Sequence, residues 1–97
     1  MFVQLIELTT TKIAEIEQLT SEWMAATEGR RKAVRSQLTR DRDRPDTYVQ
    51  VVEFPSYEAA MANSELPETS DFAAKIAALC SSGPVFRNLD VVRTDAL

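Results

Sequence analysis

The sequence predicts an α+β fold in which a four-stranded antiparallel sheet carries its helices on one face. Three observations point there. Segments with β-strand character alternate with amphipathic helical segments in the order strand, helix, strand, strand, helix, strand. A polar stretch, Asp41 to Asp46, joins the two middle strands as a hairpin. Right-handed crossovers then bring both helical segments to the same side of the sheet. This order is the ferredoxin-like βαββαβ sandwich, and 97 residues form a single domain, residues 1–97.

Phe2 to Thr9 is rich in β-formers and reads as the first strand, with Phe2, Gln4, Ile6 and Leu8 opposed by Val3, Leu5, Glu7 and Thr9. Thr9, Thr10 and Thr11 supply N-cap candidates for a helix from about Thr11 to Glu28, whose stripe is Ile13, Ile16, Leu19 or Thr20, and Trp23. Gly29 is placed to end it. Arg31 to Arg40 is a second, less apolar strand and belongs nearer an edge. Thr47 to Phe54 is the clearest strand of the chain. Ser56 caps the next helix, with Tyr57, Ala60 and Met61 as its apolar face, and Asn63 to Pro67 breaks it. A further helix starts at Pro67 or Thr69 and presents Phe72, Ile76, Leu79 and Cys80 before Ser81-Ser82-Gly83-Pro84 stops it. Val85 to Arg93 is the last strand.

Composition narrows the chemistry. Apolar residues are 44% and charged residues 27%, a soluble globular balance. There is no histidine, which removes histidine triads, histidine-ligated haem and the common zinc sites. The single cysteine, Cys80, forms no internal disulfide and fits a reducing, cytoplasmic setting. No apolar run matches a membrane span, and Met1 to Gln4 lacks a basic lead-in, so no signal peptide is expected. A net charge of −4 disfavours nucleic acid as a partner, and the basic residues of the hairpin are interleaved with Glu28, Asp41, Asp43 and Asp46. No glycine-rich phosphate loop, nucleophile elbow or metal-ligand spacing is present, so no cofactor and no metal is expected.

The first and third strands carry apolar groups on both faces. Whichever side turns away from the helices keeps either Val3, Leu5, Val49 and Val51 or Phe2, Ile6, Leu8, Tyr48, Val52 and Phe54. Such a patch is unusual on a soluble monomer. A homodimer with sheets packed face to face would cover it.

Several stretches also carry a resemblance. Trp23-Met24-Ala25-Ala26-Thr27 ahead of Leu38-Thr39-Arg40-Asp41, then Val52 to Ala60, then Asn63-Ser64-Glu65-Leu66-Pro67-Glu68-Thr69, resemble the dimeric α/β-barrel superfamily. Within it they are most similar to the antibiotic-biosynthesis-monooxygenase-like proteins. The resemblance implies a sheet-to-sheet homodimer and a ligand cleft between helices and sheet in each subunit. It also implies oxidation of polycyclic phenols by dioxygen without metal or flavin, on an aromatic or polyketide-like small molecule. A non-catalytic ligand-binding or regulatory dimer, and an isomerase or cyclase, are the alternatives on the same fold.

The site residues follow from that resemblance and from residue chemistry. Asn63 falls in the stretch matching the cleft-lining segment and could hydrogen-bond a substrate oxygen, or cap its helix. Tyr48 and Tyr57 offer phenolic groups, or sit on the rim. Trp23, Met61 and Phe72 could wall a pocket, although core packing is the simpler reading of their helical spacing. Arg35 and Arg87 could hold an anionic substrate, or pair with Glu7, Glu53 or Asp90. One departure is plain: the quinone-forming enzymes of the family carry a tryptophan beside their asparagine, whereas Ser64, Glu65, Leu66 and Pro67 follow Asn63 here.

Overall fold

A computed structural model describes residues 1–97. Its elements are β1 (Phe2–Thr9), α1 (Ile13–Ala26), β2 (Arg35–Arg40), β3 (Thr47–Phe54), α2 (Tyr57–Ser64), α3 (Pro67–Leu79) and β4 (Ser82–Asp90). The sheet order is β2-β3-β1-β4 with every pairing antiparallel, so the less apolar β2 is an edge strand as its composition predicts. No helix is long and apolar enough to cross a membrane.

The second crossover holds two helices, because Pro67 cannot extend α2 and instead occupies the first turn of α3. Ser56 caps α2, its side chain accepting a hydrogen bond from the Ala59 backbone N–H at 3.1 Å. The capping expected from threonine at α1 takes another form. Lys12 is the N-cap residue and has no side-chain cap, while the buried Thr10 accepts from Lys12 N–H and donates to the Leu79 carbonyl. Two strand limits also differ from the sequence reading. β2 begins at Arg35 rather than Arg31, because the chain turns after α1 and the Arg30 and Arg31 N–H groups bond the Thr27 carbonyl; Val34 N–H is the first to reach β3, at the Glu53 carbonyl. β4 spans Ser82–Asp90 rather than Val85–Arg93, since Pro84 is tolerated on an edge strand and Gly83 lets the chain pass close to β1.

Register sorts the strand residues onto two faces, and the buried clusters show which is inward. Phe2, Gln4, Ile6 and Leu8 oppose Phe54, Val52, Gln50 and Tyr48, and this face meets the helices. Alternation puts Val3, Leu5, Val49 and Val51 on the open face together with Val85 and Leu89 of β4. Two ion pairs, Arg44 with Glu7 and Arg35 with Glu53, flank that apolar patch.

The core is divided. Phe2, Val52, Phe54 and Ala60 form one buried cluster, with Ile6, Ala33, Ala59 and Met61 packed against it. Leu8, Ile16, Tyr48 and Ile76 form another, with Ile13, Leu19, Phe72, Leu79 and Cys80 around it. The Phe54 and Tyr48 ends of β3 lie six residues apart in sequence, roughly 20 Å along an extended strand.

Candidate functional site

Because α1 and α3 cover one end of the sheet and α2 the other, the middle of the helix-facing side is left partly open. Leu38, Gln50, Ile6 and Phe86 lie side by side across β2, β3, β1 and β4. Phe86 is 50% exposed and Leu38 38%, while Ile6 and Gln50 are half-buried. Gln50 donates to Ser36 Oγ of the next row at 2.9 Å, and within that row Gln4 donates to Asn88 Oδ1 at 3.1 Å. This is a floor of apolar surface with amide groups set into it, the composition expected where a small molecule is held and oriented.

Asn63 is the buried polar side chain of α2, only 6% exposed. Its Oδ1 accepts from the backbone N–H of Lys32 at 3.0 Å, and that partner fixes the orientation of the amide because an N–H can only donate. Nδ2 bonds no protein group, and no sealed-in side-chain polar atom of the protein lacks a partner, so Nδ2 opens to accessible space. Asn63 is not the helix cap that its place near the break also allowed; Glu65 occupies the C-cap.

The turn after α1 is held firmly. Thr27, with no exposure at all, donates to the Trp23 carbonyl and accepts from the N–H groups of Arg30 and Arg31. Arg30 and Arg31 fold back on α1 and donate to the Ala26 and Met24 carbonyls, satisfying acceptors that the helix end leaves free. Arg30 also pairs with Glu68 at the start of α3, and its guanidinium holds the Glu68 carboxyl below the usual carboxylate range. Trp23 Nε1 donates to Thr69 Oγ1, its ring stacks on Phe72 with centroids 5.6 Å apart, and the Arg31 guanidinium lies 5.8 Å from the ring centroid.

Against known proteins, no family model matches the sequence and no curated protein does. Solved structures do match. A protein from Caulobacter crescentus assigned as an antibiotic biosynthesis monooxygenase superposes with a TM-score of 0.80 at 20% identity, covering 95% of this chain and 90% of its own. One from Deinococcus radiodurans with the same assignment gives 0.79 at 13% identity, covering 100% and 98%. SnoaB, a cofactor-independent oxygenase from Streptomyces nogalater, gives 0.77 at 21% identity, covering 96% and 94%. The chain has the antibiotic biosynthesis monooxygenase fold.

On that fold, the residues singled out from sequence fall into separate places. Asn63 lies on α2, and Met61 packs against the Phe2 cluster. Trp23 and Phe72 meet one another where α1 faces α3. Tyr57, 49% exposed, sets its ring against the edge of Phe2. Tyr48 is buried at the far end of β3 beside Leu8, with the Arg40 guanidinium 5.8 Å from its ring centroid. The two tyrosines are therefore not brought together. Arg35 pairs with Glu53 at 3.5 Å, and Arg87 sits opposite Leu5; both belong to the open face, not the helix-facing floor. A concavity of about 570 Å³ lies apart from all of these, between Ala14, Gln18 and Leu19 of α1 and Lys75 and Ala78 of α3.

Sequence reasoning missed Lys32, Thr27 and Thr69, whose contributions are backbone or hydroxyl contacts to residues remote in the chain. The available signal was Asn63 itself: an asparagine inside a helical run needs a hydrogen-bond partner if buried.

Proposed function

We propose that the chain is a cofactor-independent oxygenase that binds an aromatic or polyketide-like small molecule between its helices and its sheet, and that it works as a homodimer. The observation carrying this reading is the Asn63 amide, nine-tenths buried, with its oxygen engaged and its nitrogen free to donate. A fixed donor in a water-poor setting is suited to an oxyanion. A phenol or enol that has lost its proton bears that oxyanion and is electron-rich enough to reduce dioxygen itself. The protein then has to orient the anion, exclude water and leave a path for the proton. Gln4 and Gln50 supply further hydrogen bonds at the floor, and Ile6, Leu38 and Phe86 supply its apolar area.

The open sheet face supports the homodimer. Val3, Leu5, Val49, Val51, Val85 and Leu89 form one apolar patch there, and burial against a second copy removes it from water.

Oxygen uptake with a panel of anthrones and dihydroxyarenes tests the reading. Turnover by the wild-type protein, reduced about 100-fold in kcat by Asn63→Ala, is the expected result. Absence of uptake with every member would refute it. A second reading, a ligand-binding dimer without turnover, is favoured by the distance between Tyr48 and α2. It predicts saturable binding of panel members with no oxygen consumed.

A further inference from the structure

We infer that the backbone N–H of Lys32 is the positioning group of the site, fixing Asn63 as a donor and so restricting the ligand to one that presents an acceptor oxygen. The inference rests on the proposed binding site and adds to it the element that orients it. Lys32 N–H meets Asn63 Oδ1 at 3.0 Å although the residues lie 31 positions apart. An amide side chain left to itself can rotate to exchange its oxygen and nitrogen. Facing an obligate donor it cannot, since the exchanged amide would set N–H against N–H. Both Nδ2 protons are therefore committed away from the turn.

The donor is itself held on both sides. Arg31 N–H is bound to the Thr27 carbonyl at 3.0 Å, and Val34 N–H is bound to the Glu53 carbonyl of β3 at 2.9 Å. Thr27 has no exposure and is tied to Trp23, while Trp23 is tied to Thr69 of α3. The segment from Thr27 to Val34 thus links α1 to β3 and delivers one N–H to α2. A group locked by neighbours that are themselves locked is the requirement for a pre-organised site. The side chain of Lys32 is exposed and takes no part.

The chemical consequence is selective. A carbonyl or phenolate oxygen can receive the Nδ2 protons. A ligand that offers only a donor at that point leaves two N–H groups facing its own, which costs the unmade bond and the desolvation of both.

The test replaces the Arg31–Lys32 amide by an ester, which deletes this N–H and keeps the side chain. A second protein, Asn63→Asp, retains the acceptor for Lys32 and loses the donors. Affinity for a hydroxyanthrone is measured by titration, and the Asn63 side-chain amide signal is followed by nitrogen-15 NMR. Both changed proteins are expected to bind about 10-fold more weakly. The ester should also move and broaden the Asn63 amide signal, whereas Asn63→Asp should melt close to the wild type at neutral pH. An ester protein with an unmoved amide signal would overturn the inference. So would normal binding by Asn63→Asp, which would make the contact a tether alone. If the wild type binds no hydroxyanthrone, the proposed function falls, and the amide signal of the ester protein still decides whether Lys32 orients Asn63.

Discussion

The indole N–H of Trp23 donates to the hydroxyl oxygen of Thr69 at 2.9 Å, joining the end of α1 to the beginning of α3. The same ring stacks on Phe72, so one side chain links the helix pair by a polar and an aromatic contact. Replacing Thr69 by Val removes the acceptor and leaves the indole N–H unpaired in a half-buried place. The expected loss is about 1 kcal/mol in urea unfolding, with a shift in the emission of the chain's single tryptophan. An unchanged midpoint and spectrum would show that the contact is dispensable.

Thr10 is buried to 1% exposure and has both hydrogen-bonding roles filled, donating to Leu79 O at 2.7 Å and accepting from Lys12 N at 3.0 Å. Thr10→Val keeps the shape and orphans both partners. Its expected cost is about 2 kcal/mol, read from denaturant titration. Ser21, an exposed residue bonded only within its own helix, serves as the comparison: Ser21→Ala should change stability by less than about 0.5 kcal/mol.

Gly83 has φ +84°, and a Cβ placed there would lie 2.6 Å from the Glu7 carbonyl oxygen. Both the backbone conformation and the contact oppose a side chain. Gly83→Ala is expected to destabilise by about 2 kcal/mol or more. Gly29 shares the positive φ but would meet nothing, so Gly29→Ala should cost about 1 kcal/mol.

Two carboxylates are held below their ordinary range by guanidinium partners: Glu68, chiefly by its hydrogen bond from Arg30, and Asp41, chiefly by its hydrogen bond from Arg44. A carboxylate with a depressed folded-state pKa binds fewer protons folded than unfolded. Its contribution is therefore complete above the ordinary carboxylate pKa and disappears as the pH falls through the lower folded value. Melting temperature should drop as pH is lowered below about 4, and the Glu68→Gln protein should show a shallower drop. Because both pairs lie at the surface with exposed guanidinium groups, high salt should flatten the profile. A pH-independent melting temperature down to the acid limit would contradict this.

Val51 opposes Leu5 on the open sheet face. In the proposed dimer, Val51→Glu puts a charge into apolar surface in each of two copies. The expected result is a wild type sedimenting at twice the chain mass at micromolar concentration and a variant sedimenting as the single chain.

Much of the fold was legible because periodicity and punctuation agree. Ile16 and Ile76 fall on predicted stripes and are buried, Ser56 caps α2, and Pro67 opens α3. The choice between the two faces of β1 was not legible, since Val3 and Leu5 are as apolar as Ile6 and Leu8; only the packing of the helices against Phe2, Ile6 and Leu8 separates them. The start of β4 was not legible because Gly83-Pro84 reads as a terminator, yet at an edge strand it joins the ladder. At the candidate site, the sequence marked Asn63 as a polar group within a helical segment but gave no sign of what it meets. Its partner is a backbone N–H from another segment, and no side-chain pattern encodes that.

The division of the core into two clusters has a thermodynamic consequence. Ile6 and Gln50, in the interval between Phe54 and Tyr48, are left partly hydrated, so the domain forgoes burial that a continuous interior would supply. A molecule lodged there would act as a missing piece of interior, and its affinity would be recovered as resistance to heat. At 100 times its dissociation constant that would amount to about 2.7 kcal/mol, enough for a melting screen to register any molecule that fits there.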